Sequence, residues 1–334
     1  MNPTMKAIVL RAPGQLEHAE VARPTPRAGQ LRVRLTAAAL NHRDVYIRDG
    51  KYPGLRYPAI LGADGVGTVD AIGPGVDPAW IDRRVVLDPG LDWGDDPRVQ
   101  GPAYRILGMP EDGTFAEAIV VPATSAHPAP RHLTDHQAAA LPLAHLTAWR
   151  ALVTRAAVRP DDRVLITGIG GGVALAALQI ALAHGAAVWV TSSSPHKLAE
   201  ARRLGARGGF LYTEDYDAPA RKQSGGGFDV IIDGAGGEGV GALLRLLAPA
   251  GRFAFYGGTA GRWPAILPQH LFFRQISILA STMGSPAEFA ALLAFTETHG
   301  IVPVVDRVHA LADAPAALDR LHHSDQFGKI VLAI

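Results

Sequence analysis

Four glycines stand at positions 168, 170, 171 and 172, directly after the apolar run RVLITG and before VALAALQIALA. Glycine lets the chain turn tightly and brings backbone N–H groups close to a pyrophosphate, while the following helix N-terminus adds partial positive charge. Glycine clusters also occur in ordinary turns. Here the strand–turn–helix context, with a second strand AVWVTSS at the right distance, favours a dinucleotide site built from Gly168, Gly170, Gly171, Gly172 and Val173. Ala174 stands where a third glycine is common, an accepted variant.

The end of that second strand bears on which dinucleotide. An acidic residue there takes the ribose hydroxyls of NAD. This chain instead reads VWVTSSSPHK, with Ser192, Ser193 and Ser194 followed by His196 and Lys197. No carboxylate repels a 2′-phosphate, the hydroxyls can donate to one, and Lys197 can neutralise its charge. The expectation is NADPH (NADP). The competing readings are that Ser194 before Pro195 caps a helix and that Lys197 lies on a solvated helix face.

These residues require a scaffold of alternating strands and helices. From Asp161 onward the chain supplies candidate strands RVLITG, AVWVTSS, GGFLYT, FDVIIDGA, GRFAFYGG and QISILAST, the first of them continuous apolar runs. Such runs suit a parallel sheet covered on both faces, so the expected fold class is α/β, a doubly wound Rossmann domain. FYGGTAG (Gly257, Gly258, Thr259) and ASTMGS (Ser281, Met283) end the last two strands. Strand carboxyl ends face the ligand crevice of an open sheet, so these residues are expected beside the nicotinamide half. The first ~125 residues are β-rich, short Val/Ile/Leu runs punctuated by Gly and Pro. After Gly284 come an amphipathic helix, PAEFAALLAFTETHG, short strands and a helix, ending in GKIVLAI.

Composition narrows the function. At 334 residues two domains are expected, and 48% hydrophobic with 19% charged residues describes an ordinary globular chain. Lys+Arg 32 against Asp+Glu 31, with no basic run, points to neither nucleic acid nor a membrane surface as partner. Cysteine is absent, which excludes disulfides, thiolate nucleophiles, Fe–S clusters and Cys-ligated zinc. No apolar stretch is long enough to span a bilayer and the N-terminus does not read as a signal peptide, so the expected location is the cytoplasm.

Six segments, in order, resemble the medium-chain dehydrogenase/reductase superfamily: ALNHRDVYIRDGKYP, YPAILGADGVGTVDAIGPGV, GTFAEAIVVPA, AALPLAHLTAWRAL, ITGIGGGVALAALQIA and GKIVL. The resemblance implies a GroES-like catalytic domain from residues 1–128 and 284–334. A Rossmann NAD(P)-binding domain, 129–283, would be inserted between them, with the active site in the cleft. Zinc members of the superfamily hold a catalytic metal on Cys, His and Cys; matching the motifs puts Asn41, Ala63 and Leu143 at those positions. Ala and Leu cannot ligate a metal, so that zinc geometry is excluded and no metal is expected. The chain resembles the zinc-independent quinone oxidoreductases and enone reductases, a branch often labelled zinc-type alcohol dehydrogenase-like.

NHRDVYIR holds Asn41, Asp44, Tyr46 and Arg48, and zinc-free relatives use the matching Asn and Tyr near the nicotinamide. The Tyr46 phenol can donate to a carbonyl oxygen as charge develops there, or be a rim tyrosine. Asn41 orients substrate or closes a turn; Asp44 reads as structural. Thr147 in HLTAW matches a family threonine near the nicotinamide ring, or bonds back to its own helix. Asp64 and Lys329 resemble an ion pair joining the chain ends beside the cofactor; alternatively Lys329 reaches phosphate. His42 and His145 are the candidate proton-transfer histidines.

The resulting expectation is a zinc-independent, NADPH-dependent oxidoreductase that passes hydride to a small quinone or α,β-unsaturated carbonyl compound. A homodimer is expected from the resemblance. Zinc-free alcohol or aldehyde oxidation is the nearest alternative, and a weakly active NADPH-binding, crystallin-like protein is the rival from another class.

Overall fold

The computed structural model describes residues 3–334; Met1 and Asn2, the start of the expected 1–128 segment, lie outside the described residues. The chain forms two compact units: Met1–Ala144 with Ser285–Ile334, and His145–Gly284.

In the first stretch the strands are β1 (Thr4–Ala12), β2 (Gln15–Ala22), β3 (Gln30–Ala39), β4 (Ala59–Ile60) and β5 (Asp64–Ile72). They are followed by β6 (Arg84–Leu87), β7 (Gly90–Leu91), β8 (Arg105–Ile106), β9 (Ala118–Pro122) and β10 (Ala126–Pro128). Helices α1 (His42–Arg48) and α2 (Asp135–Ala139) belong to the same stretch, and α3 (Pro142–Trp149) carries the chain past the boundary between the units. The second unit contains β11 (Arg163–Ile166), α4 (Gly172–Ala183), β12 (Ala187–Ser192), α5 (Pro195–Arg203), β13 (Gly208–Leu211) and α6 (Asp217–Ser224). It continues with β14 (Phe228–Asp233), α7 (Val240–Leu246), β15 (Leu247–Phe255), α8 (Gln269–Phe272) and β16 (Ser277–Ala280). The chain then returns to the first unit as α9 (Pro286–His299), β17 (Val305–Ala310), α10 (Ala314–His322) and β18 (Lys329–Ala333).

The main sheet of the first unit runs β10-β6-β5-β3-β18-β17, with β9 also paired to β3. Its centre is β3, whose Ala37, Ala38 and Ala39 are wholly buried. Register there decides the chemistry. Ala39 pairs with Asp64 on one side and with Val331 on the other. Two strand neighbours thus bring Asp64 and Lys329 alongside Asn41, which follows the end of β3.

The second unit is a Rossmann fold: six parallel strands in the order β13-β12-β11-β14-β15-β16. Every residue of β12 is buried, consistent with a strand covered on both faces, which is why its sequence shows no alternation.

The sequence reading divides the chain at 128/129, whereas the structure keeps residues 129–144 with the first unit. The physical reason is α2, capped by Thr134, which packs against β3 and β5 and buries Ala138 and Ala139. Within residues 88–112, Trp93 is 3% exposed and meets Tyr104 edge-on at 5.2 Å. Arg105 pairs there with Asp92 and Glu111. No helix among the described residues is long and apolar enough to cross a membrane.

Candidate active site

Asn41, Asp64 and Lys329 form one buried polar cluster in the first unit. Lys329 Nζ donates to Asp64 Oδ2 at 2.9 Å and to Asn41 Oδ1 at 2.6 Å. Asn41 Nδ2 donates to the same Asp64 oxygen at 2.9 Å, and the Leu143 amide donates to Asp64 Oδ1 at 2.8 Å. Of the two readings of Lys329, the structure shows the ion pair. The side chain is 5% exposed and held by two acceptors. Ala63 is wholly buried next to Asp64, and Leu143 takes part through its backbone. Among the described residues no group of three or more His, Asp or Glu is placed to hold a metal ion.

Helix α1 starts at this cluster. Asp44 reaches back and accepts the Asn41 N–H at 2.7 Å, so Asn41 does close the helix start as well as bond through its side chain. Asp44 is fully buried, and burial raises its carboxyl to about 6; its other oxygen, Oδ1, has no hydrogen-bond partner among the described residues. One turn on, Tyr46 is partly exposed, and its ring lies 5.3 Å from that of His42 in an edge-on contact. Burial, with His322 nearby, lowers the His42 pKa, which favours the neutral imidazole. Arg48 is spent on Asp49 and Asp319.

In the second unit the glycine turn has the expected form. Gly168 and Gly170 have φ of +65° and +118°, which side chains with a Cβ rarely adopt. Gly171 caps α4 without a side-chain hydrogen bond, so the first-turn amides, those of Gly172 and Val173 included, have no side-chain acceptor at the cap. This cradle fits a pyrophosphate: its glycines add no side chain of their own and the helix presents its donors. A Cβ on Gly170 would come 2.8 Å from Lys197 Cδ, so the Lys197 side chain lies across the turn.

The three serines divide their roles. Ser194 caps α5, accepting the Lys197 N–H at 3.4 Å, as the capping reading expects. Ser192 is buried and its Oγ accepts the Ser194 N–H at 3.1 Å, whereas Ser193 is exposed. Ser193 and His196 are exposed at this strand end, and the Lys197 side chain is partly exposed.

Thr147 and Met283 meet: Thr147 Oγ1 lies 3.7 Å from Met283 Sδ, and both residues are buried. Met283 holds a φ of +47°. Gly257 packs so closely on Gly234 that a Cβ would come 2.3 Å from the Gly234 carbonyl oxygen, while Gly258 and Thr259 are exposed. Ser281 is partly buried beside them in the strand order, and its Oγ has no hydrogen-bond partner among the described residues. His145 is buried and its Nε2 lies 3.4 Å from Gln179 Oε1.

Sequence reasoning missed Asp233, the last residue of β14. It is 2% exposed and accepts hydrogen bonds from Thr167 Oγ1 at 2.6 Å and Gly236 N at 2.7 Å. The available signal was an aspartate ending the otherwise apolar run FDVIID, an ionisable residue in a strand reading as core.

Comparison with known proteins agrees with this architecture. The family described as zinc-binding dehydrogenase matches residues 172–298, and the alcohol dehydrogenase GroES-like domain matches 27–131. A zinc-type alcohol dehydrogenase-like protein, YogA of Leptosphaeria maculans, is 37% identical over 340 residues, spanning 94% of this chain and 93% of the relative. Zinc-type alcohol dehydrogenase-like protein C1773.06c of Schizosaccharomyces pombe is 34% identical, spanning 92% and 91%. The crystal structure of an NAD-dependent alcohol dehydrogenase superposes with a TM-score of 0.94 at 41% identity, covering 99% of this chain and all (100%) of that one. The "zinc" in these names has no counterpart in the side chains of Ala63 and Leu143. The chain belongs to the medium-chain dehydrogenase/reductase superfamily, as an oxidoreductase of its zinc-type alcohol dehydrogenase-like group.

Proposed function

We propose that this protein is an NADPH-dependent reductase of small quinones or α,β-unsaturated carbonyl compounds and works without zinc. The observation that carries the reading is the cluster around Asn41: two neighbouring ligand positions hold Ala63 and Leu143, and the Asn41 amide is already bonded to Lys329 and Asp64. Alcohol oxidation at such a site lacks a Lewis acid to acidify the hydroxyl, whereas conjugate reduction needs only placement and a donor for the developing oxyanion. When bound, the reduced nicotinamide supplies a hydride to the β-carbon of an enone or to a quinone ring. Gly168, Gly170, Gly171, Gly172 and Val173 would hold the pyrophosphate on their amides. Ser193 and Lys197 would take the 2′-phosphate, with Ser192 shaping the strand end. Tyr46 donates its O–H to the substrate oxygen, and the proton that completes reduction comes from Tyr46 or water.

The test is a panel of quinones and enones with NADPH, following loss of reduced-cofactor absorbance. Turnover of at least one such compound, unchanged by a chelator, is expected. Turnover confined to alcohols with NAD would overturn the reading in favour of zinc-free alcohol oxidation, which the 41%-identical structure named as an NAD-dependent alcohol dehydrogenase favours.

A homodimer is part of the same proposal. Strand β16 ends the second unit's sheet, and the segment before it exposes Leu267, Phe272 and Phe273, the last at 76%. An open strand edge beside exposed aromatics suits pairing with a second copy. Sedimentation should give a dimer, and Phe273→Glu should shift it toward monomer.

A further inference from the structure

The Asp233 carboxylate joins two loops at the carboxyl end of the Rossmann sheet. Its Oδ1 accepts from Thr167 Oγ1 at 2.6 Å, and Thr167 immediately precedes the glycine turn. Its Oδ2 accepts from the Gly236 amide at 2.7 Å, in the turn after β14. The glycine turn is also held from the other side. Thr191, on β12, accepts the Gly168 N–H on its Oγ1 at 3.2 Å and the Ile169 N–H on its carbonyl at 2.8 Å. The turn is thus anchored to both neighbouring strands by polar side chains.

The strands do not need this link to pair, because Ile166 and Ile232 are already in register through the backbone ladder. The link acts one residue beyond, where the chain leaves the sheet. Gly236 and Gly237 have φ of +68° and +73°, and a Cβ on Gly237 would come 2.8 Å from the Ala260 Cβ. That loop is therefore closely packed, and Asp233 ties it to the Thr167 hydroxyl. The Thr167 backbone is held by its own N–H donating to the Ile232 carbonyl at 3.0 Å, and its hydroxyl also lies 3.4 Å from that carbonyl. A carboxylate below a phosphate-binding turn is electrostatically unfavourable for an anionic ligand. Its presence is accounted for by the two donors it holds.

Building on the cofactor reading above, we propose that Asp233 is a positioning residue, which with Thr167 presets the glycine turn for the cofactor pyrophosphate. Charge and geometry then predict opposite signs. If the charge mattered most, Asp233→Asn would tighten NADPH binding. If position matters most, Asp233→Asn and Thr167→Val loosen it, because one of two buried donors loses its acceptor or the acceptor its donor.

The experiment is titration of wild type, Asp233→Asn, Thr167→Val and Thr167→Ser with NADPH and NADH, each first checked for folding by circular dichroism. Asp233→Asn and Thr167→Val should raise the NADPH Kd about tenfold, with Thr167→Ser within about threefold of wild type. In turnover, KM for the cofactor should rise more than kcat falls, a split that general destabilisation does not produce. Wild-type affinity in a folded Thr167→Val, or tighter binding by Asp233→Asn, would overturn the proposal. Failure of the wild type to bind either dinucleotide would overturn the cofactor reading itself and this proposal with it.

Discussion

Lys329 and Asp64 form an ion pair of 2.9 Å in which neither side chain is more than 5% exposed. The two residues are 265 positions apart and meet because β18 and β5 flank β3. A buried pair contributes little beyond an apolar pair of equal volume, but breaking it leaves an uncompensated charge.

Lys329→Met should therefore cost roughly 3–5 kcal/mol of unfolding free energy, because Asp64 stays behind as a buried anion. Combining it with Asp64→Leu should recover part of that loss. Urea denaturation of the two single variants and the double variant checks this. Equal stability of Lys329→Met and wild type would refute it.

Asp44 and Asp88 give a pH dependence. Burial raises Asp44 to about 6 and Asp88 to about 7, the latter against one hydrogen bond from Gly90 N. The folded chain therefore holds protons that the unfolded chain, with an ordinary Asp pKa of about 4, has already released. Stability from these two groups is complete below about pH 4 and is lost as pH rises to about 7. Asp88→Asn should remove part of that slope, gaining stability relative to wild type at pH 8 but not at pH 4. Melting temperatures across pH 4–8 are the measurement.

Tyr46→Phe should lower kcat on the best enone about 100-fold, roughly 3 kcal/mol, with NADPH affinity nearly unchanged. A phenol bonds a developing oxyanion more strongly than a neutral carbonyl, so KM should move less than kcat. Full kcat in the variant would reduce Tyr46 to a rim residue.

Ser192→Asp should shift cofactor preference toward NADH. A carboxylate there can still accept the Ser194 N–H that Ser192 Oγ accepts, so the fold should tolerate it, while its charge repels a 2′-phosphate. Calorimetry should show NADPH weakened about tenfold or more relative to NADH. Equal binding of both cofactors by wild type would sink the phosphate-site argument.

Purified protein should contain no stoichiometric zinc, and chelators should leave activity unchanged. Elemental analysis that finds one tightly held zinc per chain would contradict this and direct attention to His42, Asp64 and His145.

The sequence alone determined the two-part architecture and the glycine turn, because both depend on local rules. Continuous apolar runs such as AVWV specify strands covered on both faces, and GIGGG permits backbone angles that few other residues reach. The family resemblance also implied what the zinc positions lack, since Ala63 and Leu143 have no side-chain ligand atoms in any fold. Tertiary structure decided the rest. Whether Lys329 met a carboxylate or a phosphate depended on the register of β18 and β5 against β3, a long-range pairing that local sequence does not encode. Ser192 and Ser193, adjacent and identical, part company because Ser192 is the last residue of the fully buried β12 while Ser193 lies just beyond it, where the chain leaves the sheet. Asp233 went unnoticed because its partners, Thr167 and Gly236, reach it only when β11 lies beside β14. The boundary at residues 129–144 also shifted for a tertiary reason: α2 is too short to reveal its packing partner, and its buried alanines fit the first unit's sheet.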